Sequence, residues 1–193
     1  MNIALFGGTF DPIHHGHLIL AREALEQLAL DRVVFIPAAH SPHKLAHPPS
    51  PAEVRLEMVR AAVADEPRFE VDEEELQRTG PSFTIDTVEA WRRRAPEAAL
   101  FYFIGHDNVR ELHTWRRFTE LTERVQFVVF GRGENGAPHD FPTIARRVDI
   151  SATDIRARVA RSDSIHYLVP ESVRAIIAAH GLYQDHHTSI PKT

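Results

Sequence analysis

Short apolar runs alternate with amphipathic stretches along almost the whole chain, and this alternation constrains the fold more than any other feature. The apolar runs are continuous, which is typical of strands buried on both faces of a sheet. Alternating strands and helices predict an α/β fold with a doubly wound, mainly parallel sheet. The predicted strands are 2–6, 32–36, 69–71, 100–104 and 126–130, with a short sixth at 147–150. The predicted helices are 16–28, 51–64, 84–94, 109–121, 151–160 and 171–180.

Two helix ends carry local signals that support these boundaries. Ser50, Pro51 and Glu53 combine an N-cap serine, a proline at the first helical position and a glutamate three residues after the cap. Gly181 follows the last periodic residue of the final helix and can take the left-handed conformation, with Leu182 folding back on the helix. We predict one domain over residues 1–183 and a mobile C-terminal tail at 184–193, which has no apolar pattern.

Composition excludes several classes of protein. The chain has no cysteine, which excludes disulfide frameworks, thiolate metal sites and a cysteine nucleophile. Its first apolar run is too short for a signal peptide, and no window of about 20 apolar residues occurs, so we expect a cytoplasmic protein without a membrane partner. The net charge of -5 argues against binding a nucleic acid polymer by broad electrostatic attraction. Any phosphate site must therefore be built locally.

The segment GGTFDPIHHGH, residues 7–17, leads directly from the first predicted strand into the first helix. Ligands of open parallel sheets bind outside the carboxyl ends of the strands, where this segment begins. Gly7 and Gly8 are expected to turn the backbone sharply and let it approach a ligand. The following helix presents unpaired N–H groups and the positive end of its dipole, which suit a phosphate. Location alone predicts an anion site here.

His14 and His17 would share a face of this helix if it begins near Ile13, because they are three residues apart. Their imidazoles could donate hydrogen bonds to phosphoryl oxygens, and Gly16 removes a side chain where a nucleotide would lie close. Neither the G-x-G-x-x-G dinucleotide fingerprint nor the P-loop pattern is present, which argues against hydride transfer and P-loop phosphoryl transfer.

Other interpretations of the same residues stay open. The glycine pair could be only a turn, and Asp11 could be a helix cap with Pro12 behind it. His14, His15 and His17 could bind a metal, since imidazole is a common ligand. However, the usual metal-binding histidine pair on a helix is spaced by four residues with a glutamate between them, and this segment has no glutamate. We predict no protein-held metal.

A second segment, ISATDIR at residues 150–156, has the character of a phosphate clamp at the start of a late helix. Ser151 can cap the helix, and the exposed N–H groups of its first turn face an anion. Arg156 adds a planar fork of donors for phosphate oxygens. An ordinary capped helix with a surface arginine is the alternative, and the presence of the first segment makes it less favoured.

Both segments resemble the signatures of the nucleotidyltransferase superfamily. His14-His15-Gly16-His17 is similar to its His-x-Gly-His signature, and ISATDIR is similar to its serine- and threonine-rich turn, with Ala152 in place of a second serine. The resemblance implies a Rossmann-like nucleotidyltransferase fold. It also implies an ATP site formed by residues Gly7, Gly8, Thr9, Phe10, His14, Gly16, His17, Ser151, Thr153 and Arg156.

Within that superfamily the chain most resembles the bacterial nicotinate mononucleotide adenylyltransferases, over nearly its whole length. The matching pieces, besides the two signatures, are SPHK (41–44), RLEM (55–58), PSFTIDTV (81–88), FIGHDN (103–108), TWRR (114–117), YLVPESV (167–173) and GLY (181–183). His106 departs from the alanine expected before Asp107. The resemblance implies that Lys44, Thr84, Asp107 and Trp115 bind the acceptor, with the indole stacked on the pyridine ring. Lys44 and Arg132 could neutralise phosphates, although each could equally be a solvated surface residue.

The implied reaction is attack by the phosphate oxygen of nicotinate mononucleotide on the α-phosphorus of ATP, with release of pyrophosphate. His14, His17 and Arg156 would be the catalytic residues, acting by alignment and charge stabilisation. Mg²⁺ would be expected to arrive bound to the ATP phosphates. Two rival interpretations are an adenylyltransferase acting on 4'-phosphopantetheine and a non-catalytic nucleotide-binding module.

Overall fold

The computed structural model describes residues 1–39, 48–78, 80, 82–131 and 139–184. Its strands are β1 (Asn2–Gly8), β2 (Arg32–Pro37), β3 (Phe69–Val71), β4 (Ala99–Gly105), β5 (Gln126–Phe130) and β6 (Thr143–Ile144). Its α-helices are α1 (His15–Gln27), α2 (Ala52–Val63), α3 (Glu74–Gln77), α4 (Thr84–Arg94), α5 (Phe118–Arg124), α6 (Ala152–Ala160) and α7 (Glu171–Ala179). A 3₁₀ helix follows β4 at His106–Thr114.

The described strands form one parallel sheet in the order β3-β2-β1-β4-β5-β6. From β1 the chain adds β2 and β3 on one side of the sheet. It then crosses to the other side of β1 and adds β4, β5 and β6, so the topological switch point lies between β1 and β4. This arrangement confirms the predicted α/β fold with a doubly wound parallel sheet. In such sheets the crevice at the switch point is the usual place for a ligand.

Side chains of β1 alternate between two cores, as the pleat of a strand requires. Ala4 and Phe6 belong to the core on one face, which also contains buried residues of α1, α2, α6 and α7. Ile3 and Leu5 belong to the core on the other face, beneath α4, α5 and the 3₁₀ helix. Burial on both faces explains why the strands read as continuous apolar runs.

Two predicted elements are wrong. Residues 147–150 are not a strand, and the sixth strand is instead Thr143–Ile144, paired with the end of β5. The helix predicted over 109–121 is divided into the 3₁₀ helix and α5, and Arg117 between them has a left-handed backbone with φ 55°. The Arg117 guanidinium contacts Glu120 on α5 and Glu89 on α4, and the tertiary contact with Glu89 accompanies a conformation that local periodicity cannot predict.

The two helix-end predictions have different outcomes. Pro51, not Ser50, is the N-cap residue of α2. The Ser50 backbone has other partners, because its N–H donates to Asp11 and its carbonyl accepts from Arg55. At the end of α7 the prediction is confirmed: Gly181 has φ +57°, and the Leu182 N–H donates to the Ile177 carbonyl at 3.0 Å.

The predicted tail at 184–193 lies, apart from Gln184, outside the described residues. In the part of the chain that the structure describes, every helix is too short or too polar to cross a lipid bilayer.

Candidate active site

A cavity of about 1230 Å³ opens at the carboxyl ends of the central strands. Both segments singled out in the sequence contribute to its wall, although they lie far apart in the chain. The first contributes Gly8, Thr9, Phe10, Asp11, His14, Gly16 and His17. The second contributes Ile150, Ser151, Ala152, Thr153 and Arg156. The topology of the sheet therefore brings the two segments together at its switch point.

His14 and His17 lie in contact at the beginning of α1. His14 is the N-cap residue with an extended backbone, so the helix begins at His15 and not near Ile13. The two imidazole rings are stacked with centroids 3.7 Å apart and planes inclined by 24°. His17 also packs edge-on against Phe6 and Phe10. Packing on several sides holds the His17 ring in one orientation at the cavity wall.

One hydrogen bond determines which nitrogen of His17 can donate. Its Nδ1 lies 3.2 Å from the His14 backbone N–H and accepts a hydrogen bond from it. A neutral imidazole that accepts at Nδ1 carries its proton on Nε2. The turn at the start of α1 thus prepares Nε2 of His17 as a donor, which is the role that a phosphate ligand requires.

The glycines of the first segment do not form the sharp turn predicted for them. Gly7 and Gly8 belong to β1, and close packing explains the absence of side chains there. A Cβ at Gly7 would lie 2.4 Å from the Tyr102 hydroxyl, and one at Gly8 would lie 2.9 Å from the Phe10 ring. A Cβ at Gly16 would lie 2.9 Å from Nδ1 of His14. Described residues of the cavity wall include Gly8 and Gly16 but not Gly7.

The second segment begins α6 as the sequence predicts. Ser151 is the N-cap residue, and its hydroxyl accepts a hydrogen bond from the Asp154 N–H at 3.1 Å. Arg156 reaches across the cavity wall, where its Nη1 donates to the main-chain carbonyl of Asp11 at 2.8 Å. Its Nη2 lies 3.4 Å from the Thr153 hydroxyl. The guanidinium therefore joins the two segments directly and faces the space between them.

Sequence reasoning missed a buried charged cluster beside this junction. Asp11 is 8% exposed. The alternative interpretation of Asp11 as the cap of α1 is wrong, because His14 occupies the cap position. Its carboxylate accepts from the Tyr183 hydroxyl at 2.6 Å and from the Ser50 N–H at 3.2 Å. Arg55 is 1% exposed and donates to the carbonyls of Thr9 at 2.7 Å and Ser50 at 3.0 Å.

Burial and charge act together in this cluster. Desolvation lowers the pKa of Arg55, although the nearby Asp11 carboxylate opposes that shift. Burial raises the pKa of the Tyr183 hydroxyl, and its hydrogen bond to Asp11 raises it further. Tyr183 is therefore a protonated donor throughout the neutral range. The sequence signals for Arg55 and Tyr183 are the RLEM and GLY pieces of the resemblance, which by themselves imply no role for either residue.

The predicted acceptor residues do not all meet at the cavity. Asp107 lies on its wall with Gly80 and Gly105. Thr84 and Trp115 instead pack around Tyr102, and neither is among the described residues of the wall. The Thr84 and Tyr102 hydroxyls are 3.5 Å apart, and the Trp115 ring meets the Tyr102 ring edge-on at 6.1 Å. Lys44 and Arg132 lie outside the described residues.

His106, which departs from the family pattern, follows β4 immediately before Asp107. Its ring lies 5.6 Å from that of His139, centroid to centroid. His139 in turn stacks at 5.9 Å on Phe141, which packs against the second core. The substitution thus adds a contact between the 3₁₀ helix and the segment before β6.

Comparisons with known proteins show the family to which this chain belongs. The family model described as cytidylyltransferase-like matches residues 5–158. A relative from Thermus thermophilus named "Probable nicotinate-nucleotide adenylyltransferase" is 45% identical over 188 residues, covering 95% of this chain and 100% of its own. A relative of the same name from Exiguobacterium sibiricum is 46% identical over 190 residues, covering 95% of this chain and 99% of its own.

A solved structure with a similar fold is the Plasmodium falciparum nicotinic acid mononucleotide adenylyltransferase complexed with NaAD. It superposes with a TM-score of 0.77 at 16% sequence identity, covering 94% of this chain and 97% of its own. At that identity the likeness concerns the fold alone. Since the sequence relatives match over nearly their full length, the chain belongs to the cytidylyltransferase-like family and, within it, to the nicotinate-nucleotide adenylyltransferases.

Proposed function

We propose that this protein transfers the AMP part of ATP to nicotinate mononucleotide, giving nicotinate adenine dinucleotide and pyrophosphate. The observation that carries the proposal is the convergence of the two phosphate-type segments on one cavity, joined by the hydrogen bond from Arg156 to the Asp11 carbonyl. The cavity volume of about 1230 Å³ exceeds the roughly 300–1,000 Å³ of a typical small-molecule pocket, which favours a site for two nucleotides.

The chemistry requires little of the protein beyond alignment and charge stabilisation. An oxygen of the acceptor phosphate attacks the α-phosphorus of ATP, and the bond from that phosphorus to the β-phosphate oxygen breaks. The acceptor phosphate is already ionised near neutral pH, so no covalent intermediate and no strong base is needed. Pyrophosphate leaves with the negative charge that this cleavage creates.

His17 and Arg156 have the geometry for this task. Nε2 of His17 is a prepared donor, and donors aimed at developing charge in a water-poor site lower the barrier most effectively. Arg156 is held at one edge by Asp11 and Thr153 and presents its remaining donors to the leaving pyrophosphate. His14, stacked on His17, would add a further phosphate contact. The N-terminus of α6 beneath Ser151 supplies N–H groups for the same anion.

The Mg²⁺ ion expected in this reaction would enter with the ATP phosphates. Among the described residues no three His, Asp or Glu side chains are grouped as a metal site, and the Asp11 carboxylate already accepts two hydrogen bonds. Mg²⁺ commonly keeps several waters and uses substrate phosphate oxygens as ligands, which supports its entry with ATP. The ion would neutralise phosphate charge, and the alignment of the two substrates would remain the work of the protein.

The acceptor half of the site would lie near Asp107 on the cavity wall, and Thr84 and Trp115 would contribute to it from their positions around Tyr102. The packing of Trp115 and Thr84 on Tyr102 places both beside the end of β1, because the Tyr102 hydroxyl contacts the Gly7 position. This proximity supports the acceptor role that the resemblance implies for these residues. Lys44 keeps its proposed role as a phosphate-neutralising residue.

The test is pyrophosphate release from Mg²⁺-ATP with three acceptors, namely nicotinate mononucleotide, nicotinamide mononucleotide and 4'-phosphopantetheine. The expected result is fastest turnover with nicotinate mononucleotide and formation of the corresponding dinucleotide. Faster turnover with 4'-phosphopantetheine would favour the related adenylyltransferase. ATP binding without turnover on any acceptor would favour the non-catalytic nucleotide-binding module.

A further inference from the structure

Tyr183 returns to the active-site cavity from the far end of the described chain. The end of α7 at Gly181 and Leu182 directs the backbone back toward the sheet, and Tyr183 follows with a left-handed backbone of φ 62°. That conformation is unfavourable for a residue with a side chain, so tertiary contacts must hold it. Two contacts do so: the Tyr183 ring packs against the core that contains residues of α1, α2, α6 and α7, and its hydroxyl donates a 2.6 Å hydrogen bond to Oδ1 of Asp11.

Asp11 connects this tyrosine to the triphosphate side of the site. Its other carboxylate oxygen accepts from the Ser50 N–H, while its main-chain carbonyl accepts from Nη1 of Arg156. The side chain and the peptide of one residue thus hold different partners. Holding the Asp11 carboxylate in place also restricts the Asp11 backbone. The direction in which its carbonyl points toward the Arg156 guanidinium is therefore restricted too.

Arg55 belongs to the same buried cluster as Asp11 and Tyr183. Its guanidinium donates to the Thr9 and Ser50 carbonyls, so it restrains the segments on both sides of Asp11. Because Arg55 is almost fully buried, its charge attracts the Asp11 carboxylate through a poorly screened environment. The Asp11 side chain is therefore held by one charge and two hydrogen bonds, of which the Tyr183 bond is the shorter.

We propose that Tyr183 is a positioning residue for ATP: its hydroxyl holds the Asp11 carboxylate, and Asp11 in turn orients the Arg156 guanidinium toward the triphosphate. The proposal rests on the proposed function only in taking ATP as the ligand. The acceptor side of the cavity is formed by other elements, so the effect should be confined to the nucleotide. Tyr183 itself makes no contact with the reacting atoms in this scheme.

The experiment removes the hydroxyl alone through Tyr183→Phe. Losing a hydrogen bond to a charged group typically changes the equilibrium constant that depends on it roughly tenfold to hundredfold. Because Tyr183 acts on ATP only through Asp11 and Arg156, we expect the effect on ATP binding to be at the lower end. We expect the KM for ATP and the Kd of a non-hydrolysable ATP analogue to rise about tenfold, with the KM for nicotinate mononucleotide unchanged. The control is Tyr167→Phe, the same substitution at a tyrosine that is 78% exposed, which should alter none of these three constants.

A double-mutant cycle tests whether Tyr183 acts through Arg156. If it does, Tyr183→Phe should have little further effect on ATP binding in an Arg156→Lys background, because the oriented fork is already lost. Equal fold-changes in both backgrounds would overturn the proposal. So would a Tyr183→Phe protein that binds the ATP analogue as tightly as the original chain, or one whose KM rises equally for both substrates.

A second variant keeps the proposal testable. Asp11→Ala removes the acceptor of the Tyr183 hydroxyl but keeps the main-chain carbonyl that Arg156 contacts, and it provides the second variant if Tyr183→Phe does not fold; a normal Kd for the ATP analogue in that variant would contradict the proposal. Analogue binding requires no acceptor. A protein that binds ATP but makes no dinucleotide would therefore refute the proposed function while leaving the Tyr183 test valid.

Discussion

Replacing Arg55 by methionine should destabilise the protein more than any surface substitution of an arginine. The side chain is 1% exposed, and its two hydrogen bonds go to main-chain carbonyls of Thr9 and Ser50. Methionine retains much of the length but no donor. The change leaves these carbonyls without the guanidinium and deprives the buried Asp11 carboxylate of its neighbouring charge.

The expected magnitude follows from these losses. Hydrogen bonds made by a charged group contribute about 1.5 to 3 kcal/mol each, while removing the guanidinium also relieves the cost of burying it. Leaving the Asp11 carboxylate buried without this nearby positive charge adds to the loss, and we expect a total of about 3 to 5 kcal/mol. For a chain of this length that corresponds to a fall in Tm of about 6 to 20 °C.

The assay is urea unfolding of the ligand-free protein followed by far-UV circular dichroism, with a thermal melt as a second measurement. Arg158→Met is the matched control, since Arg158 makes an exposed pair with Asp154 on α6 and should leave the unfolding midpoint nearly unchanged. The double variant Arg55→Met/Asp11→Asn should recover part of the loss, because no buried charge is then left uncompensated. A loss below about 1 kcal/mol, or a double variant no more stable than the single one, would refute the reasoning.

Three further predictions concern His17, Trp115 and Glu75. His17→Ala should fold normally and lose about 10² to 10³ in kcat, as expected for a preorganised donor; a folded variant with near-normal turnover would remove His17 from the mechanism. Trp115→Ala should weaken the binding of nicotinate mononucleotide by about 0.5 to 1.5 kcal/mol without affecting the binding of ATP, as measured by separate titrations. Normal binding of nicotinate mononucleotide would show that Trp115 is purely structural. Burial raises the pKa of Glu75, with Asp72 adding to the rise and Thr87 and Arg78 opposing it. The folded protein therefore holds this proton more tightly, and the resulting stability is lost as the pH rises through the folded pKa. In Glu75→Gln the unfolding free energy should fall less steeply as the pH rises above 4.5. Urea unfolding at several pH values measures this, and the same pH dependence in the variant and the original chain would contradict the prediction.

Most of the sheet could be predicted from the sequence because its strands are buried on both faces. The runs that contain β1 and β5 have no polar residue in their centres, so periodicity alone identifies them. Residues 147–150 also form an apolar-containing run, but β6 pairs at Thr143–Ile144 instead. Pairing of an edge strand depends on which backbone groups meet β5, and a short run carries no information about that.

The two phosphate-type segments could be identified from the sequence because each lies where a strand or loop leads into a helix, and in the structure both contribute to one cavity wall. A strand end followed by Gly16, His17 and a helix start indicates an anion site without any knowledge of the rest of the chain. The exact conformation was not predictable. His14 became the cap of α1, because the stacking of its ring on His17 and the Nδ1 hydrogen bond compete with a helix that starts earlier.

The amino-acid sequence by itself determined the parallel α/β architecture, the two phosphate-type segments and the left-handed end of α7 at Gly181. The architecture follows from the alternation of strand and helix patterns along the chain, and the other two features depend on residues within a few positions of one another, where local propensity acts. Only the tertiary structure decided that the Ser50 backbone forms hydrogen bonds with Asp11 and Arg55 while Ser50 does not cap α2. It also decided that Tyr183, from the other end of the chain, donates a hydrogen bond to Asp11. These contacts join distant segments in a buried site, where satisfying a charge outweighs the weaker local preferences of each segment.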